Sequence, residues 1–329
     1  MSSGGDATRD GISLPTRLFQ VLLLNQSLFM LLLLVIMCGI IAFLNQHFLS
    51  IHNFREITVQ AGVIAMLAVG QTFVILSAGI DLGMGSVVAL ASVTTAMAME
   101  ASGSTAVSFP VGILVGALCG AANGFMVGGL GIPPFVATFG MLCIARGLAL
   151  IVTHGMPQYI VSPGYDIIGQ ARTMGIPNST LLVIALYVVC YLILIRTRRG
   201  RYTYAIGSNQ DATFLSGINI PWQLIWIYMV SGITAGIAGI TELSRIGSGQ
   251  PGAGSGYELD AIAAVVVGGT SMSGGMGSLW GSLVGALFIT TLRNGLNVMN
   301  INAHWQQVAV GFIVVLAVYA DRIRNNMRK

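Results

Sequence analysis

The sequence predicts an all-α, polytopic membrane protein of about ten crossing helices. Three observations predict it. First, of 329 residues 55% are hydrophobic and only 8% charged, against about 25% charged in an ordinary soluble domain, and mean hydropathy is +0.83. A soluble protein of this size lacks the charges to cover its surface. Second, the apolar residues are a mixed set of Leu, Ile, Val, Met, Phe and Ala that recurs in long blocks. Third, the basic residues cluster just outside those blocks, as the positive-inside rule predicts.

A spanning helix needs about 20 mostly apolar residues. Segments of that kind lie near 27–44, 57–77, 84–99, 110–129, 135–153, 180–195, 222–243, 259–270, 277–299 and 304–320. The eighth is short and rich in Ala and Val, so a half-helix fits it as well as a full crossing does. Arg9 and Arg17 place the N-terminus in the cytoplasm, although Asp6 and Asp10 dilute the signal. Six spans later Arg196, Arg198, Arg199 and Arg201 are again cytoplasmic, and four more return Arg322, Arg324, Arg328 and Lys329 to the same side. The N-terminus reads as a first span, not a cleaved signal, because the apolar run 27–44 is long for one. The expected layout is a cytoplasmic tail 1–26, a transmembrane domain 27–320 containing a polar cytoplasmic loop 196–221, and a basic tail 321–329.

Glycine is abundant, at 43 residues, and much of it lies in the spans. Gly112, Gly116 and Gly120 fall on one helical face, where small residues let backbones approach closely in lipid. Gly83-Met84-Gly85-Ser86 recurs as Gly275-Met276-Gly277-Ser278, and Leu114–Leu118 recurs as Leu283–Leu287. The two offsets differ, so the echo hints at related halves without aligning them.

Several chemistries are excluded. The single lysine is Lys329, so a Walker A loop cannot form in this chain. There is no GxSxG elbow for a serine hydrolase and no HExxH helix. His47, His52, His154 and His304 have no ligand spacing, and Cys38, Cys119, Cys143 and Cys190 lie in apolar stretches as small hydrophobes. Neither a catalytic site nor a metal site is expected. The basic balance is explained by span-flanking clusters, not by a nucleic-acid partner.

The loop after the sixth span is the most informative. Arg198-Arg199-Gly200-Arg201-Tyr202 leads into Asn209-Gln210-Asp211-Ala212-Thr213-Phe214-Leu215-Ser216-Gly217. Asn209 or Asp211 caps a short helix and Gly217 ends it. Such a surface helix suits docking to a soluble partner, and an ordinary solvated loop is the alternative.

Asp211-Ala212-Thr213-x-x-x-Gly217 keeps the spacing of the Glu-Ala-Ala-x-x-x-Gly coupling loop of ABC importer permeases, with Asp for Glu and Thr for Ala. The whole chain resembles the ribose/xylose/galactose-type permease family of ABC sugar importers. The resemblance is carried by Gly70-Gln71-Thr72-Phe73, Gly79–Ser86, the 200–217 loop, Gly256–Ala263, Gly268–Ser271 and Trp305-Gln306-Gln307. It implies a type II importer-like subunit of the bacterial inner membrane, working as a homo- or heterodimer with a periplasmic sugar-binding protein. It also implies partner ATPase subunits that carry the ATP and Mg, with no cofactor in this chain. By that resemblance Asn209, Asp211, Ala212, Thr213, Ser216 and Gly217 form the ATPase-coupling element. A same-family permease for a branched-chain amino acid or nucleoside, and a stand-alone ion-coupled transporter, remain as alternatives.

The remaining candidates follow from polarity and position. A neutral sugar needs hydroxyl and amide partners, for which Gln71, Thr72, Asn123, Thr138, Asn294 and Asn297 are the path candidates. Asp81, Arg146, Glu242 and Arg293 are charges inside or beside spans, costly unless paired or wetted. Arg55, Glu56, Arg172 and Arg245 lie in expected outward loops and suit contact with a charged binding protein.

Overall fold

A computed structural model describes residues 26–160 and 162–327. The expected tails, with Arg9, Arg17, Arg328 and Lys329, lie largely outside the described residues. Twelve helices are described: α1 (Gln26–Leu44), α2 (Ile51–Leu76), α3 (Met84–Ser102), α4 (Thr105–Gly124), α5 (Pro134–Thr153), α6 (Asn178–Arg196), α7 (Arg198–Ser208), α8 (Gln210–Leu215), α9 (Ile220–Ile246), α10 (Tyr257–Val267), α11 (Leu279–Val298) and α12 (Ala303–Met327). A helix stands over each of the ten hydrophobic segments, and six of them are long and apolar enough to cross a membrane by themselves. The protein is a multi-pass membrane protein.

Local chemistry sets the boundaries. Ser50 Oγ accepts the Asn53 amide to start α2, and Asn219 Oδ1 accepts the Trp222 amide to start α9. Ser278 Oγ caps α11 through Gly281. Gly247, at φ 79°, closes α9 in the left-handed conformation that glycine adopts without cost.

Helix α2 is the hub. Its run from Val63 to Leu76 is buried throughout and packs on α9, α11, α10 and α6. The closest pairing is α4 on α9, and glycine makes it possible. A Cβ on Gly116 would overlap the Gly232 carbonyl, and one on Gly120 the Tyr228 carbonyl. With no hydrophobic force between helices in lipid, backbone contact of this kind supplies the attraction. The outer faces of α1, α5, α6 and α12 expose Ile40, Phe43, Ile144, Ile151, Val189, Phe312 and Leu316. An apolar belt of that extent fits acyl chains, not water.

Helix α10 has eleven residues, so it is about 16 Å long, roughly half the hydrocarbon core. Residues 268–278 continue from it without helix. The 259–270 segment carries a helix over Tyr257–Val267, too short to cross a membrane by itself.

At the end opposite α7 and α8, short strands tie the connections. β1 (Gln158–Tyr159) pairs with β4 (Ser248–Gly249), and β2 (Arg172–Thr173) with β3 (Ile176–Pro177).

Candidate functional site

The polar loop folds as two capped helices at the arginine-rich end. Thr197 Oγ1 accepts the Gly200 amide at 3.2 Å and starts α7. Asn209, in extended conformation, accepts the Ala212 amide at 2.9 Å and starts α8. Asp211 lies in the first turn of α8, where a negative charge suits the helix dipole. Gly217 follows at φ 79° with open space around it. Asp211, Ala212, Ser216 and Gly217 are exposed, as a docking element requires, and so is the cap Asn209. Thr213 is different: it is buried, and its hydroxyl donates to the Asn209 carbonyl at 2.7 Å. That bond helps hold the first turn of α8. Sequence reasoning gave no role to Phe214 and Leu215, which stand 66% and 84% exposed on this six-residue helix. An adjacent apolar pair inside a polar, capped loop was the available signal.

Helix α7 is fastened to the bundle. Gln223 Nε2 donates to the Arg199 carbonyl at 2.9 Å, and the Arg199 guanidinium sits 5.3 Å from the Trp226 ring centre. At its other end, the Tyr204 hydroxyl donates to the Gly277 carbonyl at 2.9 Å.

Two non-helical breaks run inside the bundle. The first, 77–83, turns back from the end of α2 through Ala78 at φ 62°. Asp81 accepts the Gly83 amide at 2.9 Å on Oδ1 and the Ser231 hydroxyl at 2.7 Å on Oδ2. Ser231 is eleven residues into α9, about 16 Å along that helix. Asp81 therefore lies deep in the bundle, not at a span end as hydropathy placed it. Thr138 Oγ1 donates to the Ile80 carbonyl at 3.2 Å, so one of the proposed path residues reaches this break. The second break, 268–278, places Gly269, Gly274, Gly275 and Gly277 at positive φ. The second break touches the end of α2, where the first begins: the Gly275 amide donates to the Leu76 carbonyl at 2.9 Å.

Several buried charges are partnered, while Glu258 Oε2 and Arg293 Nε are buried without a hydrogen-bond partner. Arg245 makes a bidentate pair with Glu242 at 2.8 Å, to which the Tyr257 hydroxyl also donates. Arg293 pairs with Asp260, a partner the sequence left unassigned, at 2.6 Å. Arg146 Nη1 donates to the carbonyls of Pro251 and Ala253 at 2.6 and 2.7 Å and so draws the 247–256 connection inward.

The six path candidates do not form one cluster of hydrogen-bonded groups. Thr72 bonds Ser282 and the Ala68 carbonyl. Gln71, wholly buried, has no partner for either amide atom, and the Oδ1 atoms of Asn123 and Asn294 are likewise buried and unpartnered. Asn297 is exposed. Of the docking candidates Arg55, Glu56 and Arg172 are exposed, whereas Arg245 is largely engaged with Glu242.

The family described as branched-chain amino acid transport system / permease component matches residues 53–318. The chain belongs to that permease family. The permease is similar to the ribose import permease RbsC of Escherichia coli K12, 38% identical over 295 residues, which is 88% of this chain and 91% of that protein. RbsC of Haemophilus influenzae is 40% identical over 88% of this chain and 90% of its own. The D-allose transport permease AlsC of Escherichia coli K12 is 35% identical over 84% and 86%. No solved structure matches the permease. The matched range contains α7, α8 and both breaks, and it leaves α1 outside.

Proposed function

We propose that the protein is the membrane-spanning permease subunit of an ATP-driven ABC importer that carries a monosaccharide of the ribose, pentose or hexose class into the cytoplasm. The observation that supports this most is its identity of 38% to 40% with proteins named ribose import permeases, across about nine-tenths of both chains. The subunit is not itself an enzyme; a separate ATPase binds ATP and Mg and does the hydrolysis.

In this reading the chain crosses the bacterial inner membrane ten times, with α10 and residues 268–278 together making one crossing. Both termini are cytoplasmic, as are the arginines of 196–201 and the α7–α8 projection. Phe214 and Leu215 enter a cleft of the ATPase, framed by Asp211, Ala212, Ser216 and Gly217. A periplasmic sugar-binding protein meets Arg55, Glu56 and Arg172 at the other face, and a second permease copy completes the assembly. Closure of the ATPase dimer biases the permease between outward- and inward-facing states. Gln71, Asn123, Thr138 and Asn294 offer a passing sugar weak polar partners, and weak partners let cargo leave.

Glu242 pairs with Arg245 and Asp260 with Arg293, and Asp81 accepts two hydrogen bonds. Glu258 keeps a buried Oε2 without a hydrogen-bond partner and Arg146 meets only carbonyls, so the neutral cargo is read from the sugar-permease relatives.

The test is reconstitution in liposomes with the ATPase and binding protein encoded beside it. A panel of ribose, allose, xylose and galactose is expected to stimulate ATP hydrolysis with at least one member. Stimulation by leucine or a nucleoside, with none by any sugar, overturns the cargo. Uptake driven by an ion gradient without ATPase overturns the class.

A further inference from the structure

The two breaks and the partner-facing loop meet at one point, and glycine makes the meeting possible. A Cβ on Gly207, near the end of α7, would overlap the carbonyl of Leu76, the last residue of α2 before the first break, and lie 2.6 Å from the Gly275 nitrogen of the second. One on Gly274 would lie 2.9 Å from Ala78 and from Gly207 Cα, and one on Gly275 would overlap the Ser208 hydroxyl. The three backbones are thus stacked at the Leu76–Gly275 hydrogen bond. Three residues earlier on α7 the Tyr204 hydroxyl holds the Gly277 carbonyl, just ahead of the cap of α11. The first break is held in turn to α9 by Asp81 and Ser231. A displacement of α7 therefore cannot spare either break.

We propose that α7, and not α8 alone, transmits the stroke: Gly207 is the contact through which a movement of the ATPase-facing helix shifts both intramembrane breaks together, and Tyr204 is the tether that makes the second break follow. The proposal rests on the reading that a separate ATPase drives the protein. Glycine breaks are the compliant part of such a machine, because they join helices α2 to α3 and α10 to α11 without a continuous hydrogen-bond ladder. Moving them together changes the interior along both halves of the bundle in one step. Gly207 and Tyr204 are positioning residues. They touch neither nucleotide nor cargo.

Two variants and one labelling readout test this. Tyr204→Phe deletes only the hydroxyl, and Gly207→Ala adds one methyl against the Leu76 carbonyl. Both leave Phe214 and Leu215 in place, so co-purification with the ATPase is expected to match the parent protein. Uptake is expected to fall roughly fivefold in Tyr204→Phe, the scale of one lost buried hydrogen bond, and further in Gly207→Ala. The separating readout is thiol labelling of Thr270→Cys, in a background with Cys38, Cys119, Cys143 and Cys190 replaced by Ser. The parent is expected to change its labelling rate between the nucleotide-free and ATP–vanadate states, and both variants are expected to lose that change while keeping the ATPase bound. A parent whose labelling ignores nucleotide, variants that respond as the parent does, or variants that release the ATPase each overturn the inference. A parent that fails to bind any ATPase overturns the underlying reading, and the inference with it.

Discussion

Replacing Arg293 by Met removes the cation facing Asp260 while keeping most of the side-chain volume. Asp260 is 5% exposed, and its carboxylate sits in a cleft of about 180 Å³ lined by Leu259, Ile262, Val310 and Val314. Breaking a buried pair by removing one partner costs about 3–5 kcal/mol, because the remaining charge is left in an apolar site. Arg293 is 35% exposed, so the lost attraction counts for less than the stranded carboxylate, and the low end applies: about 3 kcal/mol for Arg293→Met. Asp260→Leu leaves a cation that reaches solvent, and about 1.5–3 kcal/mol follows from the lost charged hydrogen bond. The double variant Asp260→Leu/Arg293→Met has no charge to strand and is expected within about 1 kcal/mol of the parent, as apolar replacements of whole buried pairs usually are. The assay is a double-mutant cycle by unfolding of the detergent-solubilised protein in SDS, with uptake measured alongside. Single-variant losses that simply add in the double variant refute the reasoning, because they mean the two side chains do not share one interaction.

Other expectations follow from single contacts. Gly217→Asp puts a side chain at φ 79° and a new charge beside the exposed apolar pair; the protein is expected to insert normally but not transport, and retained uptake removes the docking role of α8. Phe214→Ser deletes a mostly exposed ring and is expected to leave thermal stability unchanged while co-purification with the ATPase drops. Gly116→Leu drives a side chain into the Gly232 carbonyl and is expected to abolish folded yield, whereas Gly147→Ala, which meets nothing within 4 Å, is expected to be silent in the same expression test. Charge reversal at Arg55 and Arg172 is expected to weaken binding-protein docking more at low than at high salt, measured by titration against the permease in nanodiscs.

Each hydrophobic block carries a helix because hydropathy and helical hydrogen bonding point the same way in a bilayer, which leaves no other spanning structure to a single segment. Boundaries moved where caps decide them. Helix α2 begins at Ile51, six residues before its apolar block, since Ser50 caps there and its first turns hold Arg55 and Glu56, both exposed. Asp81 shows where local reading stops. A carboxylate after an apolar run reads as the end of a span, yet it lies deep in the bundle, where the hydroxyl of Ser231, 150 residues away in sequence, donates to it. No local pattern encodes that pairing. The short helix α8 was legible through its flanking residues, Asn209 and Gly217, because capping is a local interaction of three or four residues.

Glycine explains why the close approach of α7 to the two breaks escaped the same reading. At Gly112, Gly116 and Gly120 the spacing of four repeats one helical face, so the sequence announces a helix–helix seam, and α9 fills it. At Gly207, Gly274 and Gly275 no period links the members, since each comes from a different element and faces a backbone that folding alone brings near. The echo between Gly83–Ser86 and Gly275–Ser278 was the one local trace of this. Both copies lie where a break enters a helix, α3 in one case and α11 in the other. The copies differ in register: Met84 is already helical, whereas Met276 precedes its helix by three residues and Ser278 supplies the cap. The second echo joins α4 to α11, which are not counterparts in this sense.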